Sequence, residues 1–271
     1  MKIVEDKTMW QIALIQTNIS AGDPDRNREV LESKMQQAAE AALKPDIIVL
    51  PEMRNTGYAL EQIDKLADPE GLASRRWISE FARKFKVHIV AGSVAEKRED
   101  KVYNTMLVFD RTGAEVAAYS KIHLFGLMNE DKYMAAGDQA VTFELDGIRA
   151  GASICYDIRF PELARTLSLN GAQIMFVPAQ WPHPRLQHWR TLLTARAIEN
   201  QMYVIACNTT GRNGNDYFFG HSAIIDPWGE WIAEGGETEG IITGQLDLTL
   251  VHQVRERIPV FKDRRPSAYE L

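Results

Sequence analysis

The sequence predicts a mixed α/β protein with helices packed outside buried strands. Three observations predict it. Short apolar strings rich in β-branched residues recur from end to end, several of them nearly continuous (IIVL, HIVAG, IMFV), as suits strands buried on both faces. Stretches with apolar residues at helical spacing lie between them, and tight-turn sequences join some neighbouring strings directly. Alternating helices and strands plus hairpins predict a mixed sheet with helices outside it.

The strands are expected at Trp10–Gln16, Asp46–Leu50, Val87–Val94, Val102–Phe109, Ile148–Ile154, Gln173–Val177, Met202–Cys207, Ala223–Ile225 and Ile241–Leu246. A first helix opens at Asp23-Pro24, with Asp as N-cap and Pro at the first helical position; its stripe is Val30, Leu31, Met35, Ala38 and Ala42. A second spans about Pro69 to Lys86, with Leu72, Trp77, Ile78, Phe81 and Phe85 on one face. A third runs from Pro161 to Asn170 and is stopped by Gly171, and a fourth runs from Leu186 to Gln201. Asp110–Gly113, Asp146-Gly147 and Asp226–Gly229 are turn sequences. No linker, low-complexity tract or short repeat interrupts the chain, so residues 1–271 are read as one domain. The polar, proline-bearing tail Ile258–Leu271 is expected to wrap a surface or a partner subunit.

Composition narrows the function. The chain has 271 residues, 45% of them hydrophobic, and 31 basic against 37 acidic side chains give a net charge of −6. That apolar fraction excludes global disorder, and the acidic balance argues against nucleic acid as a partner. Two cysteines make no disulfide scaffold. No stretch reaches the ~18 apolar residues of a membrane span, and the opening MKIVEDKTMW lacks the apolar core of a secretory signal. The expected setting is cytoplasmic, with Cys155 and Cys207 as free thiols.

Three segments could carry chemistry. In Ser153–Glu162 (SICYDIRFPE) an apolar string runs into Cys155 just before a helix begins. An elbow of this kind favours an anion at sulfur, and the Tyr156 N–H is placed to donate to an oxyanion. Glu52 follows the string Asp46–Leu50 directly and should point into the crevice beyond the strand end. Lys121 enters an apolar segment at another strand end (YSKIHLF) and could pair with acids or act as an electrophile. Taken alone, Cys155 could be a buried structural cysteine, as Cys207 within YVIACN appears, Glu52 a cap or ion-pair partner, and Lys121 a solvated strand-end lysine.

The three occur in order with specific flanks. PE-x5-GY at Pro51, Glu52, Gly57 and Tyr58, then K-x-H-L-F from Lys121, then C-Y-D-x-R-F-P-E from Cys155, resemble the nitrilase, or carbon–nitrogen hydrolase, superfamily. The separations of 69 and 34 positions are normal for it, and the likeness extends through Val177–Pro182, Ala195–Asn200 and Gly220-His221-Ser222. The resemblance implies a four-layer α-β-β-α sandwich with two mixed sheets, usually a homodimer. It implies a Glu-Lys-Cys triad at Glu52, Lys121 and Cys155, with Glu130 as a supporting second glutamate. The reaction this resemblance implies is amide hydrolysis through a Cys thioester, with no metal and no organic cofactor. The sequence looks most like bacterial ω-amidases, which act on small carboxylate-bearing amides such as 2-oxoglutaramate. Deaminated-glutathione amidases and N-carbamoyl hydrolases are the nearest alternatives. Tyr58, Phe125, Met128 and Trp181 could line the substrate pocket or simply pack in the core. Arg159 could meet a substrate carboxylate, but is read first as a structural pair with a nearby acid.

Rival classes have weaker support. The six histidines (His88, His123, His183, His188, His221 and His252) form no HExxH motif. A Cys–His hydrolase would use His123 or His221 as base; His123 is expected instead to be a hydrogen-bonding support and His221 a buried residue. A non-catalytic binding module would not need all three triad residues.

Overall fold

Each of those apolar strings forms a strand, and side-chain alternation along them sorts the chain into layers. The computed structural model describes residues 8–269; residues 1–7, most of the opening segment read as lacking a signal, and residues 270–271 of the tail lie outside the described residues. In chain order, the first half comprises β1 (Met9–Gln16), α1 (Pro24–Ala39), β2 (Ile47–Val49), α2 (Ile63–Leu66), β3 (Asp68–Pro69), α3 (Leu72–Phe85), β4 (His88–Arg98), β5 (Lys101–Phe109) and β6 (Glu115–Ser120). The second half comprises α4 (Glu130–Tyr133), β7 (Thr142–Leu145), β8 (Ile148–Ala152), α5 (Pro161–Leu169), β9 (Ile174–Ala179), α6 (Leu186–Asn200), β10 (Tyr203–Asn208), β11 (Thr210–Asn213), β12 (Asp216–Phe219), β13 (Ala223–Ile225) and β14 (Trp231–Glu234). Then β15 (Gly240–Asp247) returns to pair with β1, followed by α7 (Leu250–Arg257) and α8 (Val260–Asp263).

One sheet has the order β15-β1-β2-β4-β5-β6, with β3 beside β4; the other runs β14-β13-β10-β9-β8-β7. Each has a parallel centre, β1-β2-β4 and β8-β9-β10, with antiparallel strands outside it. Along β1, Ile12 and Leu14 join the core shared with Phe176 and Val204 of the second sheet. The alternate residues Ala13 and Ile15 pack instead with Leu31 and Met35 of α1 and Ile78 and Phe81 of α3. Leu163 and Leu167 of α5 and Trp189 and Leu193 of α6 cover the second sheet. The result is the four-layer α-β-β-α sandwich, with both faces of each sheet buried.

Local chemistry explains the agreements and the departures. Asp23 caps α1 by accepting from the Arg26 N–H at 3.2 Å, and Asp146 and Gly147 (φ +44° and +80°) turn β7 into β8. Helix α3 begins at Leu72, not at Pro69: the Asp68 carboxylate takes the N–H groups of Ala73 and Ser74, which leaves Pro69 to pair along β4. Leu72, in its first turn, is 62% exposed and does not join the buried face. The hairpin β11–β12 and helix α7 are additional elements. The described part of the tail lies on the chain's own surface: Gln201 donates to the Ile258 carbonyl at 2.8 Å, and Phe261 sits 5.1 Å from both the Arg165 and Arg255 guanidiniums. Among the described residues no helix is long and apolar enough to cross a membrane.

Candidate active site

Four strand ends converge between the two sheets. Glu52 lies just beyond β2, Lys121 directly follows β6, Cys155 lies just beyond β8 and Gln180 directly follows β9. Three of these strands belong to the parallel centres, whose carboxyl ends form the crevice expected of α/β proteins.

Glu52, Lys121 and Glu130 are each wholly buried and satisfy one another. The Lys121 ammonium donates to Glu52 Oε1 at 2.9 Å, to Glu130 Oε2 at 2.7 Å and to the Tyr58 hydroxyl oxygen at 3.3 Å. Glu52 Oε1 also accepts from the Tyr58 hydroxyl at 2.7 Å and Asn104 Nδ2 at 2.9 Å, and its Oε2 accepts from the Gln180 N–H at 2.7 Å. Glu130, at the start of α4, accepts from Asn104 Nδ2 at 2.9 Å and the Phe125 N–H at 2.8 Å. Burial alone would push the Lys121 ammonium toward its neutral form, but the charges of Glu130 and Glu52 outweigh it and hold the proton well above the ordinary lysine range.

Cys155 opens a tight helical turn, Cys155–Arg159, in the left-handed region at φ +46°. This turn separates β8 from α5, which begins at Pro161 as expected. Its S–H points to the Gln180 carbonyl at 3.8 Å. Burial pushes the thiol well above its usual pKa, the Glu52 charge adds to this, and Lys121 opposes it. Burial and the Glu52 charge therefore favour the thiol form at the resting sulfur over the thiolate that the elbow alone would favour. Asp157 fixes the turn: its carboxylate accepts from the Ile154 N–H, the Tyr119 hydroxyl, and the N–H and Nδ1 of His123. Tyr119 and His123 flank Lys121, so one buried acid ties the thiol turn to the lysine segment.

The thiol opens onto a narrow cleft of about 260 Å³ including its mouth. Tyr58, Phe125, Met128, Arg159 and Trp181, each expected as a possible pocket residue, all line it. Arg159 departs from the structural role it was first given. It makes no ion pair with an acid among the described residues; its guanidinium lies 4.8 Å from the Trp181 ring and 5.8 Å from that of Tyr156, with His188 Nδ1 at 3.3 Å. Arg185, unremarked in the sequence, lines the cleft opposite, 5.5 Å from the Phe125 ring, also with no acidic partner among the described residues. Asn104, which bridges both glutamates, carried no sequence signal either. His123 is the expected support, stacked on Phe160 at 3.6 Å. His221 is not buried as expected: it reaches the surface side, where Glu234 accepts at 2.8 Å. Cys155 has no histidine partner among the described residues.

The family model for carbon–nitrogen hydrolases matches residues 11–256. The chain belongs to the carbon–nitrogen hydrolase family. This hydrolase is 48% identical over 260 residues to a 2-oxoglutaramate amidase of Bacillus subtilis (strain 168), covering 96% of this chain and 99% of that one. It is 33% identical over 273 residues to omega-amidase NIT2 of Homo sapiens, covering 97% and 98%. Its fold superposes on the crystal structure of Saccharomyces cerevisiae Nit3, a member of branch 10 of the nitrilase superfamily, with a TM-score of 0.88 at 30% identity, covering 95% of this chain and 97% of that one. The hydrolase is an enzyme of amide hydrolysis, and its nitrilase-like sandwich is the one the motifs implied.

Proposed function

We propose that this hydrolase is an ω-amidase, releasing ammonia from short amides that end in a carboxylate, with 2-oxoglutaramate as the type substrate. One observation carries the reading: the Cys155 thiol, with the buried Glu52 carboxylate behind it, opens onto a cleft walled by Arg159 and Arg185, neither of which has an acidic partner among the described residues. Glu52 takes the Cys155 proton as sulfur attacks the amide carbon, and the carbonyl electron pair moves to oxygen. The Lys121 ammonium and the Tyr156 N–H hold that oxyanion, worth about 3–4 kcal/mol per well-placed donor. Glu52 returns the proton to nitrogen as the C–N bond breaks, and ammonia leaves. A water then gives a proton to Glu52 and attacks the thioester. The C–S bond breaks, sulfur regains its proton from Glu52, and the acid departs. Glu130 and Asn104 position Lys121 and Glu52.

Charge sets the substrate's direction. Two glutamates and one ammonium, buried behind the thiol, give that end of the cleft a net formal negative charge, so a substrate carboxylate is disfavoured there. Arg159 and Arg185 would hold it farther out, with Tyr58, Phe125, Met128 and Trp181 packing the carbons between. The resemblance to the Bacillus and human amidases supports the same assignment. We place the enzyme in the cytoplasm as one domain over residues 1–271 and as a homodimer. Ammonia release from 2-oxoglutaramate, deaminated glutathione and butyramide tests the substrate: kcat/KM is expected to be at least about 100-fold higher for 2-oxoglutaramate than for the neutral amide. Equal rates would overturn the reading.

A further inference from the structure

A second cleft lies on the outer, helical side of the first sheet, where the loop after Glu52 passes between the first turns of α1 and α3. At about 730 Å³ including its mouth it is more than twice the catalytic cleft. Nothing in the amide chemistry uses it.

Its inner wall carries a buried cation that makes no ion pair among the described residues, with the Asp68 charge acting on it from a distance. Arg54, two residues past Glu52, is only 3% exposed. Its Nε donates to the Ala91 carbonyl at 2.6 Å, but its Nη2 has no hydrogen-bond partner among the described residues, and no carboxylate lies within ion-pair distance. Trp77, on the same wall, has an equally buried and unpartnered Nε1. Both the Arg54 and Arg28 guanidiniums lie over the Trp77 ring, at 5.0 and 5.4 Å. Asp68 also faces the cleft, but its two oxygens cap α3 through the Ala73 and Ser74 amides. A buried charge is costly unless something pairs with it; burial holds the Arg54 pKa down to about 9, and the Asp68 charge offsets this only in part.

We propose that this cleft binds a small monocarboxylate, its oxygens on Arg54 and Trp77 Nε1 and its apolar body against Leu66 and Pro69. The carboxylates of Asp25 and Asp68 on the same walls disfavour a phosphate dianion. This site is independent of the catalytic cleft and of the substrate assigned to it.

The test is calorimetric titration of the full-length Cys155→Ala, Arg159→Gln, Arg185→Gln triple variant with hexanoate, with inorganic phosphate as control. Saturable hexanoate binding is expected, with phosphate weaker. Arg54→Met added to this background should weaken hexanoate at least tenfold. Ala73→Phe, which keeps the guanidinium but fills the cleft, should do the same. Failure of hexanoate to saturate, tighter phosphate binding, or an affinity unchanged by Ala73→Phe would overturn the proposal.

Discussion

The hydrolase buries two thiols, and they differ in what surrounds them. Cys207 lies within β10, wholly buried, its S–H directed to the Ile15 carbonyl at 3.4 Å, with no charged group acting on it among the described residues. Cys155 lies between sheets at a left-handed turn, with Glu52 and Lys121 acting on it electrostatically. Burial raises both thiols. Burial therefore does not distinguish a nucleophile from a structural cysteine. The difference is the neighbouring charges: beside Cys155 stand Glu52, which in the proposed reaction accepts the proton, and Lys121, which in that reaction steadies the charge once the proton has moved.

Exchanging the residues tests that contrast most strongly. Cys155→Ala is expected to reduce ammonia release by about 10⁴-fold or more while the melting transition stays cooperative. Cys207→Ala should keep kcat within about twofold and lose only some stability, since it leaves a small cavity. Glu52→Gln keeps the shape of the acid but removes the proton acceptor, so kcat should fall by about 10³-fold. A variant with near-normal kcat would assign the base elsewhere. Arg185→Gln should lower kcat/KM for 2-oxoglutaramate by about 10–100-fold, the worth of a charged hydrogen bond, and leave butyramide hydrolysis unchanged.

The smallest expected effect is on stability against pH. Each thiol is held neutral in the fold, while in the unfolded chain it ionises near its ordinary value of 9.0. Stability is therefore unaffected below that pH and falls as pH rises through it. Replacing both cysteines with alanine should flatten the fall in Tm between pH about 8.5 and about 10 by about 2–4 °C. An unchanged slope would mean that the thiols ionise normally in the folded protein.

The proposed triad was legible because Glu52 and Cys155 end apolar strings and Lys121 enters an apolar segment at a strand end, inside flanks of fixed spacing. The three strands of each parallel centre were legible because burial on both faces leaves them with long, mostly apolar runs. Asn104 was not legible: an asparagine inside a strand gives no sign that two buried glutamates share its amide. Arg185 reaches the cleft only through the path of the chain after β9. Helix α7 buries only Val251 and Val254, too thin a stripe to stand out among its charges. Hairpin β11–β12 forms its own two-stranded sheet outside the two layers, and so lacks the long apolar runs that marked the others. The Cys155 turn shows a further limit. Sequence placed the sulfur at a strand end, but only packing shows that burial and Glu52 raise its pKa.

The most direct measurement is mass spectrometry of the enzyme quenched in acid during turnover of 2-oxoglutaramate. The account predicts an acyl group, the substrate less its ammonia, on the peptide carrying Cys155, with none on the Cys207 peptide and none in Cys155→Ala. Continued turnover by Cys155→Ala, or an acyl group on any other residue, would contradict it.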